Sequence, residues 1–248
     1  MKEEVKVTRD ASQWVYDLFA ARTRDCTPAP ARHAARVLFA PISADPEASR
    51  LCASVLSDAE LRTADSFMTQ RHKAHFTQRR AFRRYCGALA LASQRPLSQV
   101  VFAATGKGRP YLPEWPECWF SFSWCRLGYL GAWSPTHGIG VDIEDETRDL
   151  EARELAQRYF SEAESMAVES TVDPASRHTF FQLWTLKEAA LKSIGEGLPF
   201  GLDAFQFALT PKLRVVHAPR DYGGPERFRV YAIEEAGSCA ALAIRSSG

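Results

Sequence analysis

No two of the six cysteines stand as a C-x-x-C pair; Cys26, Cys52, Cys86, Cys118, Cys125 and Cys239 are scattered along the chain. That scatter argues against a zinc site or a disulfide framework and suits a reducing cytoplasm. An excess of one charge is also missing. Lys and Arg number 31 against 30 Asp and Glu, a formal +1 that gives bulk electrostatics no reason to draw in nucleic acid. No stretch approaches the roughly 18 apolar residues that would cross a bilayer. The first residues, with Lys2, Glu3, Glu4 and Lys6, lack the apolar core of a signal peptide. A soluble, cytoplasmic protein without membrane or nucleic-acid partners is expected. At 248 residues there is room for one large domain or two small ones.

The chemistry that is present sits in two short runs. Asp142-Ile-Glu144 follows the apolar Gly138-Ile-Gly-Val141 and reads as a strand with both acids on one face. Glu188 and Lys192 lie four apart in a helix-favouring stretch and share a helical face. On that helix Leu183, Leu186, Ala190 and Ile194 form an apolar stripe, and Trp184, Glu188 and Lys192 form the adjoining one, at the border of core and solvent. Three carboxylates can hold a hard cation such as Mg2+, which takes oxygen ligands and often binds through substrate phosphates. A lysine beside them can steady phosphate charge. Taken singly, each pair also reads as a solvated acid pair or a surface ion pair.

Around these runs the chain shows an order that recurs. Residues 1–35 read as an N-terminal extension, with one apolar cluster at Trp14–Phe19 and a loop carrying Pro28 and Pro30. Arg36–Ile42 reads as a strand, and Ser57-Asp-Ala-Glu60 as a capping box opening a helix. His72–Ser93 reads as a long helix, Gln99–Thr105 as a strand and Gly106–Pro110 as a turn, followed by paired strands at Trp119–Ser123 and Leu127–Trp133. A second capping box, Ser161-Glu-Ala-Glu164, follows 104 residues after the first. The same offset sets Phe76 on Phe180 and the strand at 36–40 on Gly140–Glu144. A shared offset favours an internal duplication: an α+β fold of two half-domains, 36–137 and 138–248, each a strand, helices and about three strands. Two packed halves would supply both walls of a cleft within one chain, so a monomer is expected.

Gly138-Ile-Gly-Val-Asp142-Ile-Glu144 and Trp184-x-x-Lys187-Glu188-x-x-x-Lys192 resemble the two signature motifs of the Sfp-type 4'-phosphopantetheinyl transferases. Gly195-Glu-Gly-Leu198, Arg158–Glu164, Phe120-Ser-Phe-Ser123 and Gly108-Arg-Pro-Tyr111 fit that family in the same order, with arginine replacing the lysine of its usual Gly-Lys-Pro. The resemblance runs from about residue 36 to 245. One departure stands out: Trp124 occupies the place where the family carries a histidine against the coenzyme phosphates.

The resemblance implies Mg2+-dependent transfer of the 4'-phosphopantetheine arm of coenzyme A to a serine of an acyl or peptidyl carrier protein, with release of adenosine 3',5'-bisphosphate. It implies that Asp142, Glu144 and Glu188 hold Mg2+ (Mn2+ as a substitute), with Glu188, Lys192 and Asp142 as the catalytic set. It places coenzyme A, as substrate, against Arg109, Pro110, Ser123, Trp124, Arg80, Arg62 and Lys192. The first half-domain becomes the coenzyme side and the second the metal and carrier side. Two readings stay beside this one: a coenzyme A-binding or regulatory protein of weak activity on the same fold, and a nuclease or phosphatase using the three carboxylates.

Overall fold

The computed structural model of the chain describes residues 10–93 and 95–246, and of Leu198 only the backbone. The described residues group into two compact units. The first takes the chain up to Thr23 and then Ala40–Val101. Its four helices each begin where a side-chain oxygen meets free backbone N–H groups. Asp10 caps α1 (Ala11–Ala20), Asp45 caps α2 (Pro46–Ala53), Ser57 caps α3 (Asp58–Asp65) and Thr69 caps α4 (Gln70–Ala90). At Ser57 the expected capping box is complete, with Glu60 reaching back to the Ser57 N–H. Helices α1, α2 and α3 pack on α4, with Phe19 against Tyr85 and Phe82 at 5.5 and 5.6 Å. The part of residues 1–35 that the structure describes is therefore built into the fold.

Glu60 also binds α3 to α4. It accepts hydrogen bonds from Arg84 at 2.6 and 3.0 Å and from Arg80 at 2.6 Å. Burial works against its ionisation, but the Arg84 and Ser57 hydrogen bonds outweigh it and hold the carboxyl down at about 2.

The second unit comprises Arg24–Phe39 and Phe102–Gly248. Here β1 (Arg24–Asp25), β2 (Arg36–Pro41), β5 (Trp119–Trp124) and β6 (Gly128–Ser134) make a sheet of order β1-β2-β6-β5. The two-residue strands β3 (Ala103–Ala104) and β4 (Pro110–Tyr111) pair with each other. A three-stranded antiparallel sheet joins β7 (Gly138–Asp145), β10 (Phe228–Glu235) and β11 (Ser238–Arg245), with β11 in the middle. Strand alternation sorts its side chains. Ile139, Val141, Ile143, Leu242 and Ile244 enter one core with Val37, Phe39 and Leu130. Cys239, Ala241 and Ala243 enter another, built on the helices α5 (Ala152–Tyr159), α6 (Glu162–Glu169) and α7 (Ala175–Ser193). A hairpin of β8 (Gln206–Ala208) and β9 (Arg214–His217) completes the unit. Among the described residues no helix is long and apolar enough to cross a membrane.

The chain is thus an α+β protein with antiparallel sheets. One strand is much shorter than expected. Of Gln99–Thr105 only Ala103–Ala104 enters a ladder. Leu97–Gln99 closes instead as a 3-10 turn, with Gln99 donating to Pro96 O at 2.9 Å, and across the ladder Pro110 has no N–H to offer.

Candidate active site

The site is organised by the seam between β7 and α7. Gly138, Gly140, Asp142 and Glu144 share one face of β7, the face that α7 covers. A Cβ on Gly140 would lie 1.9 Å from Ala189 O and 2.6 Å from Ser193 N; one on Gly138 would lie 2.5 Å from Ser193 O. Only glycine lets the helix backbone settle this close to the strand. With the C-terminal half of α7 seated on the glycines, Glu188 and Lys192 come over the two acids. Residues 183, 186, 190 and 194 are buried and Trp184, Glu188 and Lys192 half-buried, which is the expected pair of stripes.

Asp142 is the hub. Its Oδ1 accepts from Lys192 Nζ at 2.6 Å and from Ser123 Oγ at 2.7 Å, while Lys192 Nζ also donates to Val141 O at 3.2 Å. Ser123 gets there because the β5 serines face β7: the neighbouring Ser121 Oγ accepts the Val141 N–H at 3.0 Å. Asp142 Oδ2 is buried and has no hydrogen-bond partner. Around it, burial and then the Asp142 charge push Glu188 up to about 7, with Lys192 pulling the other way. Burial and Asp142 likewise raise Glu144, against the Arg148 guanidinium 3.3 Å from its carboxylate. An unpartnered buried carboxylate oxygen beside two acids that resist ionising is a donor set suited to a hard divalent cation. The three carboxylates are coupled by charge, but their oxygens are not gathered as closely as the Glu146–His178–Cys239 group. Among the described residues, that is the group of three ligating side chains whose donor atoms all lie within 4.8 Å of one another.

A second corner is basic and aromatic. The turn after Thr105 is closed by Gly108 N–H to Thr105 O at 2.8 Å, and Gly108, at φ +87°, needs to be glycine. This turn presents Arg109, whose guanidinium stacks on Trp119 at 4.2 Å and whose buried Nη1 has no hydrogen-bond partner. Arg245 lies over the same indole at 5.8 Å. Lys107 pairs with Glu196, just beyond α7, and Tyr222 donates to the same carboxylate at 2.7 Å. Pro110 follows in β4, and Trp124, at the end of β5, is 46% exposed. Arg62 and Arg80 belong to the other compact unit, where Arg62 is exposed and Arg80 is engaged by Glu60.

Two further contributions come from motif residues whose roles the sequence does not reveal. Gly138 and Gly140 set the height of the helix. Lys187, inside the second motif, faces inward: fully buried, it pairs with Glu164 at 2.8 Å and donates to Phe205 O at 2.6 Å and Leu202 O at 3.1 Å. The available signal was Glu164, the third helical residue of the second capping box, placed to meet the next helix.

Comparison with known proteins matches residues 138–242, the stretch that carries this seam, to the 4'-phosphopantetheinyl transferase superfamily. The 4'-phosphopantetheinyl transferase HetI of Nostoc sp. is 34% identical over 164 residues, covering 64% of this chain and 67% of that protein. For psf-1 of Bacillus pumilus the values are 30% over 143 residues, 57% and 59%, and for Sfp of Bacillus subtilis 28% over 137 residues, 55% and 60%. The chain belongs to the 4'-phosphopantetheinyl transferase superfamily. Its matches span about three-fifths to two-thirds of the length of these relatives.

Proposed function

We propose that this protein transfers the 4'-phosphopantetheine arm of coenzyme A to a serine hydroxyl of an acyl or peptidyl carrier protein. The observation that carries this reading is the Asp142–Lys192–Ser123 cluster with Glu144 and Glu188 beside it, all but Ser123 within the family match. The carrier serine oxygen attacks the phosphorus bonded to the pantetheine arm. The phosphorus–oxygen bond to adenosine 3',5'-bisphosphate breaks, and the serine proton leaves for a base. Glu188, held near neutrality, is the proposed base. The Lys192 ammonium, now paired with Asp142, would follow the charge as it moves onto the leaving phosphate and supply its proton. Asp142, Glu144 and Glu188 would hold Mg2+, which when bound neutralises the pyrophosphate oxygens.

Arg109 and Pro110 are proposed to bind the coenzyme nucleotide. The unpartnered Arg109 Nη1 supports this, since a planar fork with a free donor suits a phosphate. Ser123 would act through Asp142, and Trp124 would offer an exposed indole where the resembling enzymes use histidine. Arg62 and Arg80 are proposed as further phosphate contacts. An internal duplication fits the same element order: α3 and α6 begin and end 104 residues apart, and a buried base on α4 or α7 meets each capping-box glutamate. A cytoplasmic monomer is part of the proposal.

Incubating the protein with coenzyme A, Mg2+ and an apo carrier protein, then weighing the carrier by mass spectrometry, tests it. A gain of one phosphopantetheine arm supports the reading. Retained coenzyme binding without transfer would leave a binding or regulatory protein, and hydrolysis of coenzyme A without transfer would point to a hydrolase.

A further inference from the structure

One group of ligating side chains lies outside the proposed reaction. Glu146 follows β7, His178 stands in the first turn of α7, and Cys239 lies on β11 opposite Glu144. Cys239 Sγ is 3.4 Å from Glu146 Oε1 and 3.5 Å from His178 Nδ1, and His178 Nδ1 is 3.1 Å from Glu146 Oε2. A tetrahedral zinc ion with Zn–S near 2.3 Å and Zn–N and Zn–O near 2.1 Å has ligand–ligand edges of roughly 3.4–3.6 Å. The two sulfur separations fall within about 0.2 Å of those edges; the nitrogen contact is made by the other Glu146 oxygen, and one donor atom from each of the three residues lies within 4.8 Å of the other two.

The elements also hold the group in place. Glu146 N–H donates to Gly237 O at 3.3 Å, and Arg177 holds the Glu146 carbonyl at 3.3 Å. Cys239 is 5% exposed, whereas the His178 side chain is 54% exposed, so the group has a buried floor and a solvent-facing rim. That rim opens on a cleft of about 470 Å3, with Gln182 one helical turn beyond His178. A thiol is a weak hydrogen-bond donor, so convergence of three elements on Cys239 gains little from hydrogen bonding alone.

We propose that Glu146, His178 and Cys239 form a binding site for one divalent ion of the zinc class, with the fourth coordination position open to the cleft. The thiol binds as thiolate, its proton passing to solvent. Sulfur and imidazole ligands favour zinc-like ions over Mg2+, which takes oxygen donors in octahedral geometry. The group adjoins the Asp142 cluster at Glu144, which pairs with Cys239 across the ladder, but shares no residue with it, and His178 precedes Glu188 by ten residues of α7, about 15 Å of helix. It does not depend on the proposed transfer.

The test is titration of the whole protein with Co2+ in a reducing buffer containing excess Mg2+ to saturate oxygen-only sites. Wild type is expected to take up one Co2+ and to develop a sulfur-to-cobalt charge-transfer band in the near ultraviolet. Cys239→Ser should lose the band. His178→Gln, a change on an exposed helix face that leaves the core intact, should weaken binding at least about 100-fold. Circular dichroism of both variants checks folding. Absence of a saturable band in wild type overturns the proposal. So does a band that survives in folded His178→Gln at unchanged affinity, since the thiolate would then belong to another cysteine.

Discussion

Replacing Glu188 by glutamine should stabilise the protein in alkaline buffer while removing transfer. In the unfolded chain this carboxyl titrates near its ordinary 4.5; in the folded protein burial and the Asp142 charge hold it near 7. Between those values the native state keeps a proton that the unfolded state has released. The unfolding free energy therefore falls as pH rises through the interval, and the loss is complete above 7. At 1.4 kcal/mol for each tenfold change in proton affinity the interval amounts to at most about 3 kcal/mol, less whatever solvent screening removes. For a chain of this length each kcal/mol moves the melting temperature by about 2–4 °C. Glu188→Gln should melt roughly 5–10 °C above wild type at pH 8 in the presence of a chelator, and the gap should close toward pH 5. Differential scanning calorimetry at the two pH values reads this directly. An equal offset at both, or none at either, would show that Glu188 is not under the strain assigned to it. Saturating Mg2+ should narrow the gap at pH 8, because a bound cation favours the ionised carboxylate.

Three further outcomes are expected. Gly140→Ala should cost about 3 kcal/mol in urea unfolding, because its Cβ meets the Ala189 carbonyl at 1.9 Å and a backbone atom cannot rotate away; wild-type stability would refute the seam. Lys187→Met should cost about 3–5 kcal/mol by leaving Glu164 buried and uncompensated, and adding Glu164→Gln should recover part of it; additive losses in the double variant would mean the pair is uncoupled. Lys192→Ala should lower kcat about 100-fold or more with little change in KM for coenzyme A, since its charge matters most as the pyrophosphate bond breaks; a rise in KM at unchanged kcat would make it an anchor only.

What was legible in the chain was local. Asp142 and Glu144 share a face because strand side chains alternate, and Glu188 and Lys192 share one because helix positions four apart do. Both capping boxes formed as written, since each is closed by residues three apart. Features that depend on distant partners were not legible. Gly138 and Gly140 read only as part of an apolar run until α7 lies across them, and Lys187, a motif residue with no role assigned, gains one only when Glu164 lies against it. The cysteine spacing argued against zinc because spacing rules see neighbours, whereas the proposed ligands 146, 178 and 239 come from three elements. The expected strand at 99–105 is shortened to Ala103–Ala104 for a local reason, the turn that Pro96 opens.

The two capping-box glutamates differ in what they tie together. Glu60 gives both oxygens to Arg84, sharing one with Arg80 and the other with Ser57, so it joins α3 to α4. Glu164 meets Ser161 and Lys187 with one oxygen and leaves the other to accept the Phe207 N–H at 2.9 Å. One carboxylate therefore fastens the start of α6, the middle of α7 and strand β8. In hydrogen exchange these three elements should open as a single cooperative block, with the Phe207 amide exchanging at the rate of the α7 core. The amides of α3 need only wait for α4.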